Sequence, residues 1–197
     1  MKLRELLTAP NQLTLLRMAF LPFIVINLVE RDYRTALLLF VIAGFTDMFD
    51  GLLARVLHQQ TQLGQYLDPI ADKLLLSTMF LVLSILHLIR WKYTVLVFSR
   101  DVSILGVSAV LYTIAGLRDF RPSIFGKANT LAQISAVFFV LLFEIMPRYW
   151  VYFARVMFLR FTFAFTILSA LHYVILVGQR LPAAQQPNSE ASGDARR

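Results

Sequence analysis

The chemistry of this chain is concentrated in two short runs. The first is Asp47-Met-Phe-Asp50-Gly51-Leu-Leu-Ala54-Arg55; the second is Gly64-Gln-Tyr-Leu-Asp68-Pro-Ile-Ala-Asp72. At 3.6 residues per turn, Asp47, Asp50, Gly51 and Ala54 fall on one face of a helix, and Gly64, Asp68 and Asp72 on one stripe of the next. Four carboxylates brought close together repel one another unless cations lie between them. Hard divalent ions such as Mg²⁺ or Mn²⁺ prefer all-oxygen sites of this kind and complete their shell with substrate phosphates. Gly51, Ala54 and Gly64 remove bulk beside the acids, and Arg55 follows on the adjoining face as a fork suited to phosphate. The chemistry expected is metal-assisted work on a phosphate.

The elements that position these acids are apolar. The chain has 197 residues, of which 58% are hydrophobic, more than the 45–50% typical of a water-soluble domain. The apolar residues form blocks long enough to cross a hydrocarbon core of ~30 Å. Six spans are predicted: Asn11 to Val29, Thr35 to Leu57, Leu63 to Leu88, Tyr93 to Ala115, Phe125 to Met146, and Phe158 to Val177. The short connections Glu30–Arg34, His58–Gln62 and Ile89–Lys92 make consecutive helices antiparallel neighbours. A tight hairpin between the second and third spans then brings all four aspartates to one depth. The rise of 1.5 Å per residue puts Asp50 ~10 Å back from the end of its span at Leu57, and Asp68 and Asp72 ~8–13 Å in from Leu63. An aspartate near a span centre costs ~2.5–3.5 kcal/mol on insertion scales, so four of them are not packing residues.

The expected fold class is all-α: a polytopic membrane protein of six transmembrane helices with an N-terminal amphipathic surface helix. Residues 1–9, MKLRELLTA before Pro10, form that surface helix. Arg148–Arg155, with Tyr149, Trp150 and Tyr152 beside its arginines, is an interfacial mixture. Residues 1–180 form the membrane domain, and the polar tail 181–197 is expected to be disordered and dispensable for chemistry. No short apolar segment ends at a small-residue cleavage site, which argues against a removable signal peptide.

The absence of cysteine excludes disulfides and thiolate metal sites, leaving oxygen and imidazole, with three His in the chain. The net charge of +7 belongs to topology and anionic headgroups rather than to nucleic acid. One side carries Lys2, Arg4, Arg55, Arg118, Arg121, Lys127 and Arg180; the other carries Arg31, Arg34, Arg90, Lys92 and Arg148, offset by Glu30 and Asp32. The richer side, with the loop between the second and third spans, is expected to be cytoplasmic. Pairing of the acids with cations inside a bundle is the bland alternative, for which only Lys73 and Arg55 are local candidates. A metal-ion carrier is the other, because intramembrane acids mark ion routes; no broken-helix repeat is visible in the two halves.

The full pattern D-x2-D-G-x2-A-R-x8-G-x3-D-x3-D resembles the motif of the CDP-alcohol phosphotransferases, with every fixed position filled. The resemblance covers the whole membrane region. It implies that Asp47, Asp50 and Asp68 bind a pair of divalent ions, with Asp72 completing the site and acting as general base. It also implies that Asp47, Gly51, Ala54, Arg55 and Gly64 contact the CDP moiety of CDP-diacylglycerol, and that the protein is a homodimer. Asp72 would take the proton of an acceptor hydroxyl attacking the lipid-bearing phosphorus, releasing CMP.

Pro10-Asn11-Gln-Leu13-Thr14-Leu-Leu-Arg17 resembles the glycerophospholipid branch of that family, and Asn11, Thr14 and Arg17 are candidates for lining a cytoplasmic pocket. Ser99-Arg100-Asp101, Ser108, and Lys127-Ala-Asn129-Thr130 continuing to Gln133 look more like a cardiolipin synthase than a phosphatidylglycerophosphate synthase. The expected acceptor is therefore phosphatidylglycerol, with glycerol 3-phosphate as the alternative. Arg100, Arg118, Arg121 and Lys127 are candidate acceptor contacts. Glu144 and His172 are expected to make structural hydrogen bonds, and His58 to be solvated. The natural setting is a bacterial inner membrane, with the active site facing the cytoplasm.

Overall fold

The computed structural model describes the backbone of residues 9–56, 62–115 and 124–184, and within them the side chains of 16–46, 71, 73–103 and 126–171. All the regular structure among the described residues is helical: α1 (Ala9–Val29), α2 (Tyr33–Val56), α3 (Gln62–Ile85), α4 (Trp91–Ala115), α5 (Ile124–Ile145) and α6 (Tyr149–Ala184). Five of the six starts and most of the ends lie within three residues of the sequence-based expectation, because long apolar runs leave little choice of element.

The sixth helix differs. It begins at Tyr149, nine residues before the expected Phe158, and it continues through 181–184, part of the expected tail. The interfacial segment is thus itself helical from Tyr149 onward. Val151 is fully buried, Trp150, Tyr152 and Phe153 face outward, and Arg155 reaches back to Glu144 at 3.5 Å and donates to the Leu88 carbonyl. Alternating buried and exposed positions satisfy a helix as readily as they satisfy a boundary. Residues 1–8 and 185–197, which hold the expected surface helix and the rest of the tail, lie outside the described residues, as do the loops that hold His58, Arg118 and Arg121.

Two turns close on residues in the left-handed region, Arg31 (φ 63°) and His87 (φ 61°). After α1, Asp32 N–H donates to the Asn27 carbonyl at 2.8 Å and Arg31 N–H to Leu28 at 3.1 Å; after α3, Leu88 N–H donates to Leu83 at 2.9 Å and His87 N–H to Ser84 at 3.1 Å. Both are Schellman caps, each built without the glycine usual at that position. Asp32 then caps α2, accepting from the Thr35 amide at 3.2 Å and the Thr35 hydroxyl at 2.6 Å.

α5 and α6 make the most extensive pair. α1 lies along α2 and α3, α4 bridges α3 and α6, and α2 packs on α5. The core runs through Ile24, Phe40, Met79, Phe80, Val140 and Leu141. The outside is also apolar, with Phe23, Val102, Leu131 and Phe153 well exposed. Such a surface suits a lipid solvent rather than water. Two helical segments, Gly126–Ile145 and Tyr149–Leu171, are long and apolar enough to cross a membrane by length and composition.

Candidate active site

The acidic motif lies on the helices expected of it. Asp47, Asp50, Gly51, Ala54 and Arg55 belong to the second half of α2, and Gly64, Asp68 and Asp72 to the first half of α3, joined through 57–61. Their side chains are outside the described residues, as are those of Asn11 and Thr14 in α1. Among the described side chains, no group of three or more His, Asp or Glu is placed to hold a metal.

α2 and α3 border one common space. A cavity of about 380 Å³ is lined by Phe40, Val41, Ala43, Gly44 and Phe45 from α2, Leu75 and Leu76 from α3, and Ile134, Phe138 and Phe139 from α5. Its polar groups come from Arg17, Thr130 and Ser135. Arg17, one of the residues expected in a pocket, is 2% exposed and reaches this cavity from α1. Asp47 follows Phe45 by two residues, and Asp72 precedes Leu75 by three, so the acidic segments continue directly from its walls. Burying an arginine in an apolar bundle is costly.

On the far side of α3 is a charged cluster. Arg100 Nη1 donates to Asp101 Oδ1 at 2.7 Å, and Lys73 Nζ reaches the same oxygen at 3.3 Å. Ser77 Oγ donates to Asp101 Oδ2 at 3.5 Å. Arg100 Nη2 donates to Ser169 Oγ at 3.5 Å and lies 3.4 Å from where a Cβ on Gly126 would stand. Side chains of α3, α4 and α6 therefore meet around the Arg100–Asp101 pair, with Gly126 of α5 beside it. Two cations against one carboxylate leave this cluster with one formal positive charge.

Arg100, a candidate acceptor contact, is buried in this cluster, whereas Lys127 is exposed at the start of α5. Glu144 makes the structural contact expected of it, to Arg155. Asn129 is fully buried and accepts a hydrogen bond from Thr166 at 3.0 Å. Sequence reasoning gave Asp101 and Asn129 no role of their own. The signal for Asp101 was present in the Ser-Arg-Asp triplet, but only the fold brings Lys73 to it.

The identity of the donors and the fate of the neighbouring cation test whether divalent metal fits. Hard oxygen donors suit Mg²⁺ or Mn²⁺. Lys73, one of the two cations near enough in sequence to neutralise the motif, is engaged by Asp101 on α4. The donor set is compatible with metal.

Residues 7–178 match the family described as CDP-alcohol phosphatidyltransferase. The chain is 33% identical over 148 residues to the human protein named cardiolipin synthase (CMP-forming), covering 66% of this chain and 48% of that protein. It is 35% identical over 149 residues to the Bacillus subtilis protein named CDP-diacylglycerol--glycerol-3-phosphate 3-phosphatidyltransferase, covering 68% and 76% respectively. Against the Escherichia coli protein of that same name it is 32% identical over 171 residues, covering 84% and 92%. The chain thus spans about half the length of its human relative and nearly all of its Escherichia coli relative.

Proposed function

The chain belongs to the CDP-alcohol phosphatidyltransferase family, and from that premise we propose that it transfers a phosphatidyl group from CDP-diacylglycerol to a glycerophospholipid-type alcohol. The observation that carries this reading is the completely filled acidic motif, divided between α2 and α3 across one short connection.

In this reading the acceptor hydroxyl attacks the phosphorus that bears diacylglycerol. The new bond joins the acceptor oxygen to that phosphorus, and the bond to the departing CMP breaks. Asp72 receives the hydroxyl proton. Two divalent cations, Mg²⁺ or Mn²⁺, held by Asp47, Asp50, Asp68 and Asp72, would supply charge neutralisation for the phosphates. Asp47, Gly51, Ala54, Arg55 and Gly64 hold the CDP moiety, with the small residues admitting it and Arg55 gripping phosphate. The apolar cavity beginning two residues before Asp47 suits an acyl chain.

Phosphatidylglycerol is the acceptor favoured by charge. The single excess positive charge of the Lys73–Asp101–Arg100 cluster matches a phosphodiester, which carries one negative charge, better than a doubly charged phosphomonoester. Arg100 is the foremost candidate acceptor contact, with Lys127, Arg118 and Arg121 as further candidates, and Asn11, Thr14 and Arg17 as candidate pocket residues. Glycerol 3-phosphate is the second reading, favoured by the names of the Bacillus subtilis and Escherichia coli relatives. The protein works as a six-span integral membrane enzyme of residues 1–180, with the first residues on the surface as an amphipathic helix and 181–197 as a tail. It acts as a homodimer in a bacterial inner membrane, with the site facing the cytoplasm. The apolar exterior and the Tyr149–Phe153 belt support the membrane setting.

Mass spectrometry of the lipid product, with phosphatidylglycerol and glycerol 3-phosphate offered together beside CDP-diacylglycerol, tests the acceptor. Cardiolipin as the product supports the reading; phosphatidylglycerophosphate replaces it with the second.

A further inference from the structure

Lys73 is the residue after Asp72, about 100° round α3 from it. It shares its stripe with Ser77, four residues on, and both side chains meet Asp101 of α4, at 3.3 and 3.5 Å. A lysine ammonium stands on a flexible four-carbon stem. From this root it has two sets of partners to choose between: Asp101 on α4, or the acidic motif whose positions 68 and 72 occupy the adjoining stripe of its own helix. An ammonium among those carboxylates would neutralise part of their charge and compete with a divalent cation.

Asp101 decides the choice. Its carboxylate is 10% exposed and is fixed by Arg100 at 2.7 Å. Arg100 is braced in turn by Ser169 of α6. The carboxylate that receives Lys73 is thus tied to α6 as well as to its own α4, while Lys73, at 28% exposure, is the loosest member of the cluster. Arg100 alone would satisfy Asp101, so the arrangement is richer than one buried pair requires. We propose that Asp101 is a positioning residue for the metal site: it holds the Lys73 ammonium away from the aspartate motif and so leaves those carboxylates free for divalent cations. The inference rests on the reading of Asp47, Asp50, Asp68 and Asp72 as metal ligands.

The test is Mn²⁺ binding to the purified full chain in detergent, followed by electron paramagnetic resonance of the free ion, without substrate. Asp101→Asn keeps an oxygen for Arg100 but removes the charge that restrains Lys73. It is expected to weaken Mn²⁺ binding about tenfold or more, and adding Lys73→Gln to it should return the affinity to within about threefold of the starting protein. A purely structural role for Asp101 would not be repaired by removing the lysine. Unchanged binding in Asp101→Asn, or a double variant as weak as the single one, overturns the proposal while leaving the metal site intact. Absence of Mn²⁺ binding in the unsubstituted protein overturns the metal reading itself, and this inference with it. Should Asp101→Asn not fold, the exchange K73D/D101K decides. It preserves the pair with its ammonium rooted on α4, so full affinity supports the proposal and a tenfold loss contradicts it.

Discussion

Thr166 donates a 3.0 Å hydrogen bond to the side-chain oxygen of Asn129, and this contact registers α6 against α5. One turn to one side, Gly126 and Ser169 meet the same Arg100 guanidinium; one turn to the other, Gln133 and Thr162 are both buried. The antiparallel pair is therefore polar along the stretch that faces the Arg100 cluster. In an apolar bundle, hydrogen bonds of this kind between helices contribute modestly but fix alignment.

A double-mutant cycle of Asn129→Ala and Thr166→Val measures that contact. The coupling expected is about 0.6 kcal/mol, and at most roughly 1.7 kcal/mol, by unfolding in mixed detergent. The individual losses should exceed the coupling, because each single change leaves a buried polar partner behind.

The left-handed residues at the two Schellman caps make a second prediction. His87 is exposed and has a φ of 61°, where a Cβ is unfavourable. His87→Gly should raise stability by about 1 kcal/mol, read as a higher midpoint in thermal unfolding. An unchanged or lower midpoint would show that the imidazole contributes more than the backbone conformation costs.

Asp32 links pH to stability at the α1–α2 turn. The Thr35 hydroxyl, and after it the Thr35 amide, hold its carboxyl below the ordinary value of 3.8. A depressed value means that this stabilisation is complete above the unfolded pKa and is lost as pH falls through the folded one. Asp32→Ala should therefore lower the melting temperature at neutral pH. The difference from the unsubstituted protein should shrink as pH drops below 3.8.

Gly44 opens onto the apolar cavity, and a Cβ placed there meets nothing within 4 Å. Gly44→Ala should stabilise α2 by about 0.5–1 kcal/mol, since glycine in a helix interior carries an entropic cost. Gly44→Phe should fill the space and fold, but raise the KM for long-chain CDP-diacylglycerol more than for a short-chain analogue. Equal effects on both substrates would remove the acyl chain from this cavity.

The helices and the acidic motif were legible in the sequence because both are local: apolar runs reveal spans, and acids at spacings of three and four share a face. The early start of α6 was hidden because the aromatics and arginine of 149–155 read as a boundary, while the contacts of Arg155 with Glu144 and Leu88 depend on the packing of other helices. The pairing of Lys73 with Asp101, 28 residues apart, and of Asn129 with Thr166, 37 apart, leaves no periodic trace. Lys73 in particular was a candidate partner for the motif, and only the packing of α3 on α4 reveals where its charge is held.

The most direct test of the central claim is CMP release by the purified protein in detergent, with Mg²⁺, CDP-diacylglycerol and phosphatidylglycerol, beside Asp72→Asn. Release is expected to require both metal and acceptor and to fall by about 10²–10⁴-fold in Asp72→Asn, the range a general base contributes. Release that survives in Asp72→Asn, or continues without divalent metal, would contradict the claim.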